Sequence, residues 1–191
     1  PALTITPIQS AIGQLAKDDK LSWKGSISFK PNRNLTTYAT VSTGFRPPVV
    51  NARAGLAPPA AQPNDIVIPP GATSDKLTNY EIGLKGSFFD NRFTANLAAF
   101  YIDWNNIQVQ ANRVSDAIQF ATNIGGAVSK GIEFELVARP VDGLRLQASG
   151  AYIDARIDDL SPVEAAISGA EDDIRLATPK FQGSATATYS F

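Results

Sequence analysis

The side chains that could perform chemistry in this chain are carboxylates, arginines and amides, because its 191 residues include no histidine and no cysteine. Without an imidazole or a thiol, neither a nucleophilic triad nor a thiolate metal site can be assembled. No glycine-rich phosphate loop follows a predicted strand either. The sequence therefore predicts a protein that is not an enzyme, with no catalytic residue and no cofactor.

Two acidic runs offer the oxygen ligands that hard divalent cations prefer. They are Asp158 with Asp159, and the Glu-Asp-Asp run at positions 171–173. A solvated acidic loop explains both runs more simply, so no metal site is predicted.

Two further carboxylates, Glu133 and Glu135, alternate with apolar residues along a predicted strand. They are expected to form structural ion pairs with Lys85, Lys130 or Arg145. A charged path for a substrate is the alternative interpretation.

The predicted ligand-binding residues are Arg46, Arg53, Trp104, Asn105, Gln108 and Arg113. A guanidinium group binds an anionic chelate through paired hydrogen bonds, which is the role expected of Arg46 and Arg53 in a long loop. Trp104 and the amides that follow it offer aromatic and hydrogen-bonding groups to a polar ligand. Solvated loop arginines and a tryptophan at a membrane interface are the alternatives.

The elements that must position these residues are β-strands, and the clearest pair lies at 79–109. Apolar and polar residues alternate with period two on both sides of Asp90 and Asn91, which predicts a hairpin with a type I′ turn. Its apolar face is expected to pair Tyr80 with Tyr101, Ile82 with Ala99, Leu84 with Leu97, Gly86 with Ala95 and Phe88 with Phe93. The other face pairs Glu81 with Phe100, Lys85 with Asn96 and Ser87 with Thr94, and is mostly polar.

The length of the apolar face suggests a membrane. Aromatic residues stand at both of its ends, and Tyr101 lies about 26 Å of strand beyond Phe93 at about 3.3 Å per residue. With a tilt of about 40°, this length covers roughly 20 Å, close to the apolar band of an outer-membrane barrel. We expect one set of side chains to face lipid: Phe93, Leu97, Tyr101, Leu144, Leu146 and Tyr152. We expect another to face the lumen: Thr94, Asn96, Arg145 and Gln147.

The predicted elements follow one another as hairpins and loops within a single partial barrel domain, 1–191. They are a loop at 1–20, hairpins at 21–44, 79–109 and 118–156, long extracellular loops at 45–78 and 157–177, and a strand at 178–191. Short connections alternate with long ones, as in a barrel with tight periplasmic turns and extended outer loops. A β-sandwich gives no reason for that alternation.

Composition excludes several other classes of protein. No apolar run reaches the roughly 18 residues that a transmembrane helix needs. A net charge of −1 without a cluster of basic residues gives no support for nucleic-acid binding. The absence of cysteine suits an exported protein.

Three ordered motifs resemble the TonB-dependent outer-membrane receptors. Residues 38–48 read Y-A-T-V-S-T-G-F-R-P-P, similar to the family's Y-x-x-x-S-x-G-F-R-x-P stretch. Residues 79–85 read N-Y-E-I-G-L-K, similar to N-Y-E-x-G-x-K. Residues 123–125 and 129–135 read N-I-G and S-K-G-I-E-F-E, similar to N-x-G and S-x-G-V-E-x-E. The likeness extends from about Leu21 to Phe191.

The resemblance implies about seven antiparallel strands of a transmembrane β-barrel that has about 22 strands and encloses an N-terminal plug. It implies an active transporter of the bacterial outer membrane that imports a scarce solute, most often a ferric siderophore, with cobalamin or a saccharide as other solutes. The implied partners are outer-membrane lipid, lipopolysaccharide and the inner-membrane TonB protein. The plug and the coupling box are not found here, so we expect a fragment. The chain ends Tyr189-Ser190-Phe191, similar to an aromatic-ended final strand, but the family's usual last segment is not found before it, so we also expect truncation at Phe191. A passive porin and a secreted β-sandwich binding module are the alternatives.

Overall fold

The computed structural model describes residues 19–59 and 65–191. The predicted loop at 1–20 therefore lies outside the described residues except for its last two positions. The strands are β1 Lys24–Asn32, β2 Leu35–Gly44, β3 Val49–Val50, β4 Gly71–Ala72, β5 Lys76–Phe88, β6 Phe93–Asn112, β7 Gln119–Ala138, β8 Leu144–Asp158 and β9 Phe181–Tyr189, and the helix α1 spans Pro162–Ser168.

Seven of the strands form one sheet in the order β1-β2-β5-β6-β7-β8-β9. Every neighbouring pair in this sheet is antiparallel, and each strand lies beside the next long strand along the chain. The prediction of an all-β antiparallel arrangement of about seven strands is confirmed. The short pair β3-β4 forms a separate two-stranded sheet.

The register of the central hairpin is the one that the alternation predicts. All five apolar pairs from Tyr80–Tyr101 to Phe88–Phe93 are formed, and so are the three polar-face pairs. Asp90 and Asn91 have φ angles of 53° and 64° in the turn, as a type I′ turn requires. Phe89 also has a positive φ, 54°, which the sequence did not indicate.

The two faces of the sheet differ in the way that the sequence predicts. Paired residues of neighbouring strands share a face, so Leu97, Phe134 and Gly150 lie together, as do Ile132 and Tyr152. Within the described residues this face has no second layer packed against its middle, and Ile132 and Leu97 are 57% and 43% exposed. An apolar surface of this size needs a nonaqueous environment or a partner.

The opposite face carries the predicted polar residues but not the predicted ion pairs. Asn96 donates a hydrogen bond to Glu135 over 3.2 Å. In the described part of the chain, no Lys or Arg nitrogen lies within 4.0 Å of a carboxylate oxygen of Glu133 or Glu135. Lys130 pairs with Tyr101 and therefore lies on the apolar face. The ion-pair expectation was wrong, because Lys130 lies on the other face and the Lys85 ammonium lies over the Tyr38 ring, 5.7 Å from its centre.

The long connections contain more structure than expected. The first, after β2, is drawn together where Val49 pairs with Ala72. The second contains α1, whose N-cap Ser161 forms a reciprocal capping box with Glu164 and which ends at Gly169 with φ 70°. Over the ranges 19–59 and 65–191, no helix is long and apolar enough to span a membrane.

The buried core lies where β6 and β7 extend beyond their neighbours. One cluster contains Ile107, Ile124, Ala127, Ile157 and Leu160, with Trp104, Val109, Ala165, Ala170 and Leu176 packed around it. A second contains Ile68, Ala111 and Phe120, with Ile66, Ile118 and Ile167 around it. Both loops therefore pack on the same extended hairpin.

Candidate functional site

The first long loop is closed at its base by an ion pair between Arg46 and Asp75. Arg46 follows β2 by two residues and Asp75 immediately precedes β5, so the pair joins the two ends of the loop. The Asp75 carboxylate accepts hydrogen bonds from the Arg46 backbone N–H over 2.8 Å and from Nε over 2.6 Å. A third contact joins Arg46 Nη2 to the same carboxylate over 2.5 Å.

The surroundings of Asp75 keep it charged although its side chain is only 1% exposed. Burial by itself raises the pKa of the carboxyl group. The hydrogen bonds from Arg46, with a further contribution from the Trp104 indole, outweigh burial and hold the pKa of Asp75 below its usual value. The pair is therefore ionised over the physiological pH range.

The same arginine meets two other residues of the predicted ligand-binding set. Its guanidinium carbon lies 4.8 Å from the centre of the Trp104 ring, within the range of a cation–π interaction. Arg46 Nη2 also donates to the Gln108 carbonyl oxygen over 3.1 Å. The Gln108 side chain donates to the carbonyl oxygens of Pro47 and Thr73. Arg46, Trp104 and Gln108 thus form one cluster, in which 45% of the Arg46 side chain is exposed.

The amide side chains of Asn106 and Asn123 hold the C-terminal end of the first loop, just before β5. Asn123 accepts the backbone N–H of Thr73 over 2.7 Å and donates to the carbonyl oxygens of Thr73 and Asn106. Asn106 in turn donates to the Thr73 hydroxyl and the Ser74 carbonyl oxygen. These bonds hold the segment before β5 against the top of β6 and β7.

Asn51 fixes the loop to β7 at a point where β8 has already ended. Its side chain accepts the Ala121 N–H over 2.7 Å and donates to the Ala121 carbonyl oxygen over 2.8 Å. Both contacts are those that a neighbouring strand would make. Asn51 therefore pairs with backbone groups of β7 that β8 does not reach, because β8 ends at Asp158.

Arg113 holds the outer part of the loop. Its side chain is 1% exposed and forms an ion pair with Asp116 over 2.6 Å. It also donates to the carbonyl oxygens of Leu56 and Ile66. The hydrogen bond to Asp116 raises the pKa of Arg113, against the effect of desolvation. With its charge buried against protein oxygens, Arg113 stabilises the loop and presents no surface to an incoming ligand.

The two remaining residues of the predicted set lie apart from the Arg46 cluster. Arg53 is exposed in the outer part of the loop, and its charge adds to the lowering of the Asp116 pKa that the Arg113 hydrogen bond dominates. Asn105 lines a polar cavity of about 550 Å³ beside the second loop. The other lining residues are Asn106, Gly125, Asp159, Leu160, Ser161, Glu164 and Asp172. The predicted set is thus divided among three places.

The acidic runs serve the second loop. Asp172 accepts the Leu160 N–H over 3.2 Å, and Asp173 accepts a hydrogen bond from Arg156 Nη1 over 3.1 Å. Asp158 accepts the N–H of its neighbour Asp159. Asp158, Asp172 and Asp173 therefore accept hydrogen bonds from the second loop and from the end of β8.

The arrangement can bind a ligand most directly at the exposed side of the Arg46–Trp104 pair. There a fixed cation lies beside an aromatic ring, a combination suited to an anionic or aromatic ligand. Sequence reasoning missed Asp75, Asn51 and Asn123 as the residues that hold this surface. Asn123 belonged to a recognised motif, but nothing in the sequence indicated its partner Thr73.

Residues 9–191 match the family model described as "TonB dependent receptor-like, beta-barrel". A probable TonB-dependent siderophore receptor, PiuA, from Acinetobacter baumannii is 27% identical over 150 residues, which are 78% of this chain and 19% of that protein. The ferric-pyoverdine 358 receptor of Pseudomonas putida is 32% identical over 68 residues, 34% of this chain and 8% of that receptor. Although most of this chain aligns with PiuA, the aligned part is less than a fifth of the length of PiuA.

Solved structures show the same fold. The ferric yersiniabactin uptake receptor FyuA of Yersinia pestis gives a TM-score of 0.61 at 19% identity, over 86% of this chain and 22% of that one. The siderophore receptor PiuA of Acinetobacter baumannii gives 0.60 at 20% identity, over 88% and 23%. The pyoverdine receptor FpvA of Pseudomonas aeruginosa gives 0.58 at 21% identity, over 87% and 22%.

Proposed function

The chain belongs to the TonB-dependent receptor-like β-barrel family, and from this premise we propose that it is part of an outer-membrane transporter that imports a ferric siderophore. The energy comes from the inner-membrane TonB protein, which acts through another part of the receptor. Transport of this kind forms and breaks no covalent bond in the solute, so the protein is not an enzyme.

The observation that carries this proposal is the two-faced sheet of a chain whose family is known. The apolar face ends in aromatic residues at both levels, Phe88 with Phe93 at one and Tyr80 with Tyr101 at the other. Such a face suits the hydrocarbon of a bilayer. The polar face then borders the lumen, and the long loops lie on the extracellular side.

The ligand class is inferred from the relatives and from the exposed cluster. Both curated relatives are named as siderophore receptors or ferric-pyoverdine receptors. We infer that the ligand is an anionic ferric chelate that contacts Arg46 and Trp104 at the base of the loop and Arg53 farther out. A fixed guanidinium beside an aromatic ring supplies both charge and a flat contact surface.

Energy-dependent uptake by the full-length receptor tests the function. A strain that lacks the gene is complemented with the complete receptor, and uptake of radiolabelled iron is measured with one purified siderophore at a time, with and without a protonophore. Active import predicts uptake that the protonophore abolishes. Uptake that persists in the presence of the protonophore supports the passive-porin alternative. If the deletion strain takes up every siderophore equally well with and without the complementing receptor, the proposed ligand class is wrong.

Removal of residues 49–71 tests the role of the first loop. The two ends of this deletion lie side by side, because Val49 pairs with Ala72. The strands of the main sheet are untouched, so the barrel should still assemble and migrate as a heat-modifiable band. We expect uptake to fall by about tenfold or more, because one buried anchoring or ligand contact is worth about 1–3 kcal/mol. Normal affinity on cells with assembled receptor would place the ligand elsewhere.

A further inference from the structure

The short helix α1 of the second loop packs against an apolar cluster that contains a residue of the first loop. Ile68 of the first loop is 1% exposed and is buried together with Ala111 of β6 and Phe120 of β7. Ile167 of α1 is half-buried and packs against this cluster. The two long loops therefore share one apolar contact, although four strands separate them along the chain.

The backbone of Ile68 holds the outer part of the first loop. Its N–H donates to the Leu56 carbonyl oxygen over 3.1 Å, and its carbonyl oxygen accepts the Gly55 N–H over 2.8 Å. The Leu56 N–H in turn donates to the Arg53 carbonyl oxygen over 3.1 Å. A displacement of Ile68 would therefore move the segment that carries the exposed side chain of Arg53.

The helix α1 depends on its contacts with the rest of the chain. It has seven residues, too few for a helix that is stable by itself in water. None of these residues is fully buried. Ala165 packs beside the cluster of Ile107 and Ile124, whereas Ile167 packs beside that of Ile68. Loss of the Ile167 contact should release the helix from the first loop and leave its contact at Ala165.

A second link joins the two loops where the β6–β7 pairing is interrupted at Asn106 and Gly125. Asn106 has a φ of 58°, and its side chain donates to the Thr73 hydroxyl of the first loop. On the other strand, the Gly125 N–H donates to the Glu164 carboxylate of α1. Hydrogen bonds from Ser161 and, to a smaller extent, from Gly125 lower the pKa of Glu164. The interruption thus binds one loop from each strand.

We propose that Ile167 is a positioning residue for the ligand surface of the first loop, and that the two loops form one cooperative unit. Ile167 acts through Ile68, whose backbone fixes the segment of Arg53. This inference rests on the proposed contact between Arg53 and a ferric chelate. Coupling free energies are reciprocal, so a change in either loop should alter the stability of the other.

Hydrogen exchange of the full-length receptor in detergent tests this coupling. Ile167→Ala removes three carbons from a half-buried site, and each buried methylene group is worth a factor of about four. The hydrogen-bonded amides of Gly55, Leu56 and Ile68 should therefore exchange about tenfold faster. Val163→Ala is the matched control, because Val163 belongs to the same helix but is 67% exposed. It should leave exchange in the first loop unchanged.

The reverse change tests reciprocity. Ile68→Val removes one buried carbon from the first loop, so the hydrogen-bonded amides of Ala165 and Gly169 in the second loop should exchange about fourfold faster. Unchanged exchange at these two amides contradicts the coupling. Faster exchange of α1 alone in Ile167→Ala would show that the loops are independent. Faster exchange in the middle of β5 and β6 as well would show damage to the barrel. Each of these results overturns the proposal.

A spin label at position 53 separates positioning from general stabilisation. Ile167→Ala should increase the mobility of the label, and Ile167→Leu, which keeps the side-chain volume, should return it to the value of the unmodified receptor. Equal mobility in all three receptors overturns the inference. Siderophore uptake is measured separately. Coupled exchange in a receptor that imports no siderophore would contradict the proposed function and leave the coupling standing, whereas normal uptake with uncoupled exchange would overturn this inference alone.

Discussion

Replacement of Asp75 by asparagine should open the base of the first loop while the barrel stays folded. Asp75 accepts three contacts from Arg46, at 2.8, 2.6 and 2.5 Å. Asparagine keeps the shape of the side chain but removes the charge that these bonds depend on. The loop base would then retain only its neutral contacts, such as those of Asn51 and Asn123.

The magnitude follows from the unequal burial of the two partners. Hydrogen bonds to charged groups contribute about 1.5–3 kcal/mol. Because 45% of the Arg46 side chain is exposed, its charge can return to water when Asp75 is lost. The cost therefore stays below the roughly 3–5 kcal/mol of a fully buried broken pair, at about 2 kcal/mol. This free energy corresponds to about a 30-fold larger population of the open loop.

Hydrogen exchange of the full-length receptor in detergent measures that population. Amides at 49–51 and 71–73 should exchange about 30-fold faster in Asp75→Asn, while amides in the middle of β5 and β6 keep their protection. Asp142→Asn is the control, because its pair with Arg92 is solvent-exposed and 3.6 Å long and contributes little. Unchanged exchange in the loop would show that the Arg46–Asp75 ion pair does not hold the loop closed. Equal loss of protection throughout the sheet would show that Asp75 supports the barrel instead.

Three other predictions follow from the same geometry. Because the pKa of Asp75 is lowered in the folded chain, the Arg46–Asp75 pair stabilises the loop fully above the usual carboxyl pKa of about 4, and this stabilisation is lost as the pH falls further. The rate of proteolysis of the loop should therefore be constant from pH 5 to 8 and faster near pH 3. A faster rate already at pH 6 would contradict this. Spin labels at Leu97 should contact lipid-soluble oxygen more than labels at Asn96, and equal accessibility would refute the assigned orientation. A Cβ at Gly125 would lie 2.2 Å from the Asp159 carbonyl oxygen, so Gly125→Ala should loosen the second loop by about 1–3 kcal/mol, measured as faster exchange in α1.

The sheet could be predicted from the sequence because its signals are local. Alternation with period two assigns each residue to a face, and the Asp90-Asn91 turn then fixes every pair in the hairpin. The helix α1 also had local signals, since Ser161, Pro162 and Glu164 form a capping sequence. With only seven residues, however, the helix shows too little periodicity to be recognised inside an acidic loop.

The contacts of the loops could not be predicted in the same way. The partners Arg46 and Asp75 are 29 residues apart, and Asn51 and Ala121 are 70 apart. Aperiodic segments carry no pattern that fixes which distant groups meet, and several arginines and aspartates were equally available. The sequence therefore identified the loop and some of its residues but not which of them anchor it.

This difference between anchoring and exposed residues decides which variant can identify the ligand site. Arg46 contacts Asp75, Trp104 and Gln108, so Arg46→Ala removes a loop anchor together with any ligand contact. Weaker uptake in this variant would not show which of the two losses caused it. Arg53 is exposed, so Arg53→Ala should leave hydrogen exchange in the loop unchanged and weaken an anionic chelate by about 1–3 kcal/mol if the guanidinium contacts it. Siderophore titration with both variants separates the two effects. Unchanged affinity in Arg53→Ala would confine the ligand to the base of the loop, around Arg46 and Trp104.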